Sequence, residues 1–364
     1  MPKIRLSGTV TSAEDPNRAS RAKLLYLLFA AGWDIYNSNG DQRITLSNIE
    51  KKIIESDAFV FTPGATLEDM FKAISIFVGF QTLDQNLTGK PTVILNEDAS
   101  WNPFFAVLSH LHDLGAVVQN YQDFLLEAKS SEAVLETLEF AKARGIPDAK
   151  RHKIEETEAT VLDTPLPDDY IGSACVFCSA SLEDPAYLSD GEAMGRILAE
   201  NKIGCVSGAG RSGIMGAVVK GSVEAGGWAG GSNVPHIIQL EGLPDGLSSF
   251  WLRPDIYTRM EVMIENSDSF IIFPGGAGTV QELLALMIFK HRKHPLMEGK
   301  PVVLFNRENS KGQKFWDPLI GLLGKMCAAA DFTVANELSE ILPAIKEGMK
   351  GPRAAASAGS ELAV

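Results

Sequence analysis

Gly275, Gly276 and Gly278, with Thr279 after them, are the residues of this chain whose type and spacing best suit chemistry. They separate an apolar run, Ser269-Phe270-Ile271-Ile272-Phe273-Pro274, from Glu282-Leu283-Leu284-Ala285-Leu286-Met287, which has helix-forming composition and no breaker. The order reads as strand, tight loop, helix. Glycines let such a loop adopt positive φ and approach a ligand closely, while the first N–H groups of the helix have no intrahelical partner. A phosphate group is the ligand this arrangement attracts. Helix-end partial charges supply only about 0.3–2 kcal/mol, so direct N–H contacts and a nearby cation must add to them. The alternative is a glycine-rich strand-to-helix turn that binds nothing.

Three elements in order carry a family resemblance. Pro274-Gly275-Gly276-Ala277-Gly278-Thr279-Val280-Gln281-Glu282 resembles the PGGxGTxxE signature of the LOG family, the cytokinin-activating phosphoribohydrolases formerly called lysine decarboxylases, and of the related bacterial nucleotide 5′-monophosphate nucleosidases. Arg259 and Met263 match the arginine and methionine of that family's RKxxM, and Ser207-Gly208-Ala209-Gly210-Arg211-Ser212-Gly213-Ile214-Met215-Gly216 is similar to its GGGxxGLMG loop. The resemblance covers residues 172–345. It departs from the plant-like pattern at Met260, which replaces a lysine, at Gln281, which replaces an acid, and at Ala209, which interrupts a glycine triplet.

The resemblance implies hydrolysis of the N-glycosidic bond of a nucleoside 5′-monophosphate to free base and ribose 5-phosphate. Such cleavage passes through an oxocarbenium-like transition state, which a carboxylate beside the sugar stabilises while it orients or deprotonates the attacking water. Glu282, one helical turn past the loop, fits that role, with an ordinary first-turn carboxylate as the plainer alternative. Arg259 is the expected fixed cation, contacting the phosphate or holding Glu282. Gly275, Gly276, Gly278 and Thr279 are expected to hold the phosphate, with Gly208, Gly210, Gly213 and Gly216 closing the other side. Met263 is expected in the base pocket, although a methionine so placed is more often core. Ser179 and Ser181 are ligand contacts or helix caps. Neither a metal nor a cofactor is expected, because no His/Cys/carboxylate cluster and no pyridoxal lysine motif is present. A non-catalytic alternative is a sensor or a carrier of a phosphorylated cofactor, such as the molybdenum cofactor, on the same fold.

The elements that must position these residues alternate. Residues 2–10, 33–36, 58–62 and 92–95 read as short apolar strands, with helical patterns between them, the first through Leu24, Leu28 and Ala31 and ended by Gly32. That predicts an α/β protein with parallel sheets flanked by helices. The chain also repeats itself. Ser56-Asp57-Ala58-Phe59-Val60-Phe61-Thr62-Pro63-Gly64 matches Ser267-Asp268-Ser269-Phe270-Ile271-Ile272-Phe273-Pro274-Gly275 at an offset of 211 residues. Gly89-Lys90-Pro91, Trp101-Asn102-Pro103 and Asp123-Phe124 then match Gly299-Lys300-Pro301, Trp316-Asp317-Pro318 and Asp331-Phe332 in order. Two tandem Rossmann-like domains are therefore expected: residues 1–145 as a degenerate copy, 146–169 as a linker, 170–349 as the catalytic domain and 350–364 as a disordered tail. In the first copy the loop Pro63-Gly64-Ala65-Thr66 is two residues shorter, Asn48 falls at the position of Arg259, and nothing near 37–40 reproduces the second glycine loop. Family enzymes are typically dimers with sites near the interface, so the resemblance implies an intrachain pseudo-dimer, with further homo-oligomerisation possible.

Bulk composition agrees with this size and class. A chain of 364 residues, 45% hydrophobic and 22% charged, suits two globular domains. A net charge of −13 argues against nucleic acid or an anionic membrane as partner, while leaving room for a small phosphorylated ligand. The expectation is a cytoplasmic protein, since no apolar run approaches a membrane span and the first residues do not resemble a signal peptide. Cys175 and Cys178 form a C-x-x-C within an apparent buried strand, which reads as packing more than redox or metal chemistry. The basic run Lys290-His291-Arg292-Lys293-His294 falls where a helix should end, and complements its dipole.

Overall fold

The structure, a computed structural model, describes residues 1–7, 15–37, 53, 55–84, 86–87, 89–145, 159–309, 312–346 and 349. Expectations placed on residues 8–10 of the first strand, on 38–40, on Asn48, on 146–158 of the linker and on the 350–364 tail lie outside those residues.

Two sheets organise the chain. The first joins β1 (Lys3–Ser7), β2 (Asp34–Asn37), β3 (Ala58–Phe61), β4 (Thr92–Leu95) and β5 (Leu125–Ala128) in the order β2-β1-β3-β4-β5, all parallel. The second has eight strands: β6 (Leu162–Asp163), β7 (Gly172–Phe177), β8 (Ile203–Ser207), β9 (Ala229–Asn233), β10 (Ser249–Leu252), β11 (Ser269–Ile272), β12 (Val302–Phe305) and β13 (Thr333–Ala335). Their order is β13-β12-β11-β7-β8-β9-β10-β6, parallel except for β6 against β10. Within it, β8-β7-β11-β12-β13 repeats the order of the first sheet, and β3 and β11 differ by the sequence offset. The apolar strands run without alternation because helices cover both faces. The fold is α/β, with two Rossmann-like parallel sheets flanked by helices.

Residues 162–163, expected as linker, instead form the antiparallel edge strand of the second sheet. The carbonyl of Thr164 accepts bonds from Trp228 Nε1 at 2.8 Å and Ser249 Oγ at 2.7 Å, which fastens that arm to β9 and β10.

Helices on the first sheet are α1 (Arg18–Ala30), α2 (Leu67–Gln81), α3 (Asn102–Asp113) and α4 (Ser131–Arg144). On the second they are α5 (Pro185–Glu200), α6 (Gly213–Glu224), α7 (Pro235–Glu241), α8 (Ile256–Glu265), α9 (Ala277–His291), α10 (Asp317–Met326) and α11 (Ile341–Lys346). α2 and α9 are mostly apolar and are buried around nearly their whole circumference. They obtain this burial from each other: one apolar cluster runs from Phe71, Ile74 and Phe77 of α2 into Leu283, Leu284 and Met287 of α9. α3 and α10 pack together likewise, with His110 Nε2 3.1 Å from the carbonyl of Phe315. At the edge of the α2–α9 contact Arg292 pairs with Glu68. Part of the basic run at the end of α9 thus also ties the halves together.

Buried polarity in this contact explains one departure from the family pattern. Gln281 donates from Nε2 to Ser75 Oγ at 2.9 Å, and Ser75 Oγ donates to the carbonyl of Phe71 at 2.6 Å. A carboxylate at position 281 would place a charge in that buried site, where a neutral amide is satisfied.

α5 and α6 approach closely enough to exclude side chains. A β-carbon on Gly195 would overlap the carbonyl of Val218, and one on Gly221 the carbonyl of Glu192. Backbone cannot step aside as a rotamer can. Gly195→Ala is therefore expected to destabilise the protein by about 2–3 kcal/mol, at the upper end for overpacking. An unchanged urea midpoint would contradict this packing.

Candidate active site

α9 starts directly behind β11 with Gly276 as its N-cap, so no side chain caps it. Ala277, Gly278 and Thr279 line a cleft, and as the first residues of the helix their amides have no intrahelical partner. Here the expected reason for the glycines is corrected. None of Gly275, Gly276 and Gly278 has positive φ, and Gly276 sits at φ −90°. Close approach requires the first two instead: a β-carbon on Gly275 would overlap Thr279, and one on Gly276 would lie 2.6 Å from the carbonyl of Ala116 in the first half. Gly278 faces open space.

The second glycine loop supports the cleft from behind. Gly208, Gly210, Gly213 and Gly216 are not among the residues lining it. A β-carbon on Gly208 would collide with the Arg259 guanidinium, and one on Gly210 would lie 2.9 Å from Glu241 Oε2 and 3.0 Å from Met215 Sδ. Gly213, at φ +61°, runs against the backbone of Ser179 and Ala180, and a β-carbon on Gly216 would strike the carbonyl of Arg211. Ala209 holds φ +52°, a strained value for a residue with a side chain.

Arg259 and Glu282 meet at the base of the cleft. Asp255 caps α8 through the amides of Tyr257 and Thr258, at 2.9 and 2.8 Å, and so fixes the turn that carries Arg259. Arg259 Nε donates to the carbonyl of Ser232 at 2.8 Å and Nη2 to that of Gly208 at 3.1 Å, while Nη1 lies 3.6 Å from Glu282 Oε1. Of the two expected tasks for this arginine, the geometry favours holding the carboxylate. Both side chains are buried. Burial pushes the Glu282 carboxyl up to about 7, against the pull of Arg259 and with an added push from Glu241. A carboxylate poised near neutrality in a cleft has the properties of a reacting group.

Thr279, Ser179 and Ser181 also line the cleft. Ser179 Oγ accepts from the amides of Ser181 and Leu182, both at 3.0 Å, so it caps its own turn. Met263 is 0% exposed in the core and does not line the cleft. Met215 lines it instead, together with Ile237, Ile256 and Glu241. Cys178 touches the cleft, but burial holds its thiol and that of Cys175 well above the ordinary range, which leaves both unreactive.

Sequence reasoning missed the opposite wall. Val78, Gln81 and Thr82 from the end of α2, and residues 116–119 after α3, come from the first half. Glu241 was missed as well; only Met215 had a signal, its place in the glycine loop.

The corresponding position in the first half is already satisfied. The amide of Gly64 donates to Asp98 Oδ2 at 2.8 Å and to Ser100 Oγ at 2.9 Å, that of Ala65 to Ser100 Oγ at 3.1 Å, and Thr66 caps α2. A carboxylate thus occupies the place where an anion would dock.

A family model described as possible lysine decarboxylase matches residues 215–348. A cytokinin riboside 5′-monophosphate phosphoribohydrolase of Rhodococcoides fascians is 29% identical over 153 residues, 42% of this chain and 73% of that protein. A probable enzyme of the same name from Arabidopsis thaliana is 31% identical over 155 residues, again 42% of this chain and 73% of that one. Among solved structures, the Moco carrier protein of Chlamydomonas reinhardtii is 19% identical with a TM-score of 0.38, covering 48% of this chain and 96% of its own.

Proposed function

Because the chain belongs to the LOG family, that of the cytokinin riboside 5′-monophosphate phosphoribohydrolases, we propose that its cleft hydrolyses the N-glycosidic bond of a nucleoside 5′-monophosphate. The observation that carries this reading is the buried Glu282 carboxyl, held by Arg259 one turn inside the uncapped N-terminus of α9. The amides of Ala277, Gly278 and Thr279 bind the 5′-phosphate. That anchor places the ribose beside Glu282. As the bond from C1′ to the base nitrogen breaks, its electron pair leaves with the base and positive charge grows on the sugar. The Glu282 carboxylate stabilises that charge and takes a proton from the attacking water, whose oxygen joins C1′; a proton reaches the departing base nitrogen from solvent as Glu282 returns its own, which restores the carboxylate. Arg259 acts as a positioning residue. No lysine lines the cleft among the described residues, so nothing there offers the amine a pyridoxal-dependent decarboxylase uses.

In this reading residues 170–349 hold the competent site, and residues 1–145 are a degenerate copy that acts as an intrachain partner. The shared strand order, the paired packing of α2 with α9 and α3 with α10, and the wall given by residues 116–119 support it. Asp98 in the loop of the first half explains why that copy would bind no phosphate.

The phosphate is the test. A hydrogen bond to a charged group contributes about 1.5–3 kcal/mol, so losing two or more should lower kcat/KM by at least ~100-fold. Adenosine is expected to be that much poorer than its 5′-monophosphate. Equal turnover of the two would refute the assignment of the 275–279 loop.

A further inference from the structure

We propose that Gln119, supplied by the first half of the chain, reads the nucleobase in the cleft built on the second half. Gln119 is 7% exposed, lines the cleft, and its Nε2 is buried with no hydrogen-bond partner. Buried polar groups in folded proteins nearly always find a partner, and a buried donor left alone beside a cleft points to an acceptor that arrives with a ligand. The backbone leading to it is fixed. The amides of Ala116 and Val117 donate to the carbonyl of Leu111 at 2.9 and 3.2 Å, and His112 Nδ1 lies 2.9 Å from the carbonyl of Val117. The carbonyl of Ala116 in turn abuts Gly276. Gln119 is thereby held at a set distance from the phosphate-binding turn, as a residue that measures a ligand must be.

Chemistry decides which part of the ligand it meets. Among the described residues, those of the first half that line the cleft include no charged side chain. A phosphate dianion has the amides of α9 on the opposite wall, and gains little from a neutral one. A nucleobase suits that wall: it has apolar faces and an edge of ring nitrogens and carbonyls. Val118, 66% exposed at the cleft, offers an apolar surface that a base face would cover. A carboxamide matches a base edge, giving a donor to a ring nitrogen or carbonyl and an acceptor to an exocyclic amine. Sites built to hydrogen-bond a substrate group reject analogues that lack it far more strongly than apolar pockets do. The inference rests on the nucleotide reading of the cleft. It adds that base choice is made by a residue outside the family-like half.

The experiment measures binding, so that it does not depend on turnover. Isothermal titration of the full chain carrying Glu282→Gln, which binds with turnover suppressed, and of the same chain with Gln119→Leu or Gln119→Met added, uses ribose 5-phosphate and the 5′-monophosphates of adenosine, guanosine, cytidine, uridine and inosine. Both variants are expected to weaken the tightest nucleotide at least 10-fold, to flatten the preference among bases, and to leave ribose 5-phosphate unchanged. Gln119→Met keeps the length of the side chain, adds no charge and removes both donor and acceptor, so it remains decisive if the leucine variant fails to fold. Unchanged base preference, or equal weakening of nucleotide and ribose 5-phosphate, would overturn the proposal. Base-selective binding through Gln119, with no hydrolysis by the wild-type chain, would instead support this inference while refuting the N-glycosidase activity.

Discussion

Glu282→Gln is expected to lower kcat by about 10²–10³, or roughly 3–4 kcal/mol of transition-state stabilisation, while nucleotide affinity changes little. The carboxylate meets its full counter-charge only when the ribose becomes cationic, so its loss falls on the chemical step. The amide is nearly isosteric and can still accept from Arg259, which keeps the base of the cleft in place. The pH profile carries the same signature. Burial raises the Glu282 carboxyl to about 7, and the charged form is the active one. kcat of the wild-type chain should therefore rise with pH through a limb near 7, as the carboxyl gives up its proton, and the glutamine variant should lack that limb. A rate that falls across the same range would mean that the protonated acid is the working form. Near-normal turnover by the variant would reduce Glu282 to a helix-end residue.

Removing the first half is expected to disturb both assembly and turnover. Residues 159–364 keep β6 and the whole second sheet but strip α2 from α9, whose side chains from Thr279 to Phe289 are buried in the intact chain. Exposing a large apolar helix face favours association over a stable monomer. The fragment also loses residues 116–119 from the cleft, and with them the carbonyl that abuts Gly276. Light scattering after size exclusion should find self-association or aggregation, and turnover per chain should fall more than ~10-fold, as for a site missing one positioning wall. A soluble, fully active monomer of 159–364 would show that the first half is no structural partner.

Much of the architecture was legible because it rests on local patterns. Apolar runs of strand length ending at Pro-Gly, as at Phe61 and Phe273, announce both the strand and the turn into the next helix, and the offset between them matches the offset between β3 and β11. The reason for the glycines was less legible. Positive φ is the usual cause of a glycine cluster, whereas Gly276 answers to a carbonyl from residue 116, a contact that no local spacing encodes. The same limit hid the far wall: Val78, Gln81, Thr82 and residues 116–119 reach the cleft only because α2 packs on α9. Met263 shows the converse error. The family motif carries it, but its place on α8 turns it into the core, and Met215 takes the position at the cleft. Edge strand β6 was hidden by its brevity and by the charged, proline-bearing sequence around it.

Product analysis in ¹⁸O-enriched water tests the central claim most directly. The full chain, incubated with a panel of nucleoside 5′-monophosphates, should release free base together with ribose 5-phosphate carrying one solvent oxygen at C1. Recovery of every nucleotide intact, despite saturable binding, would contradict the account and leave a nucleotide-binding protein in place of a hydrolase.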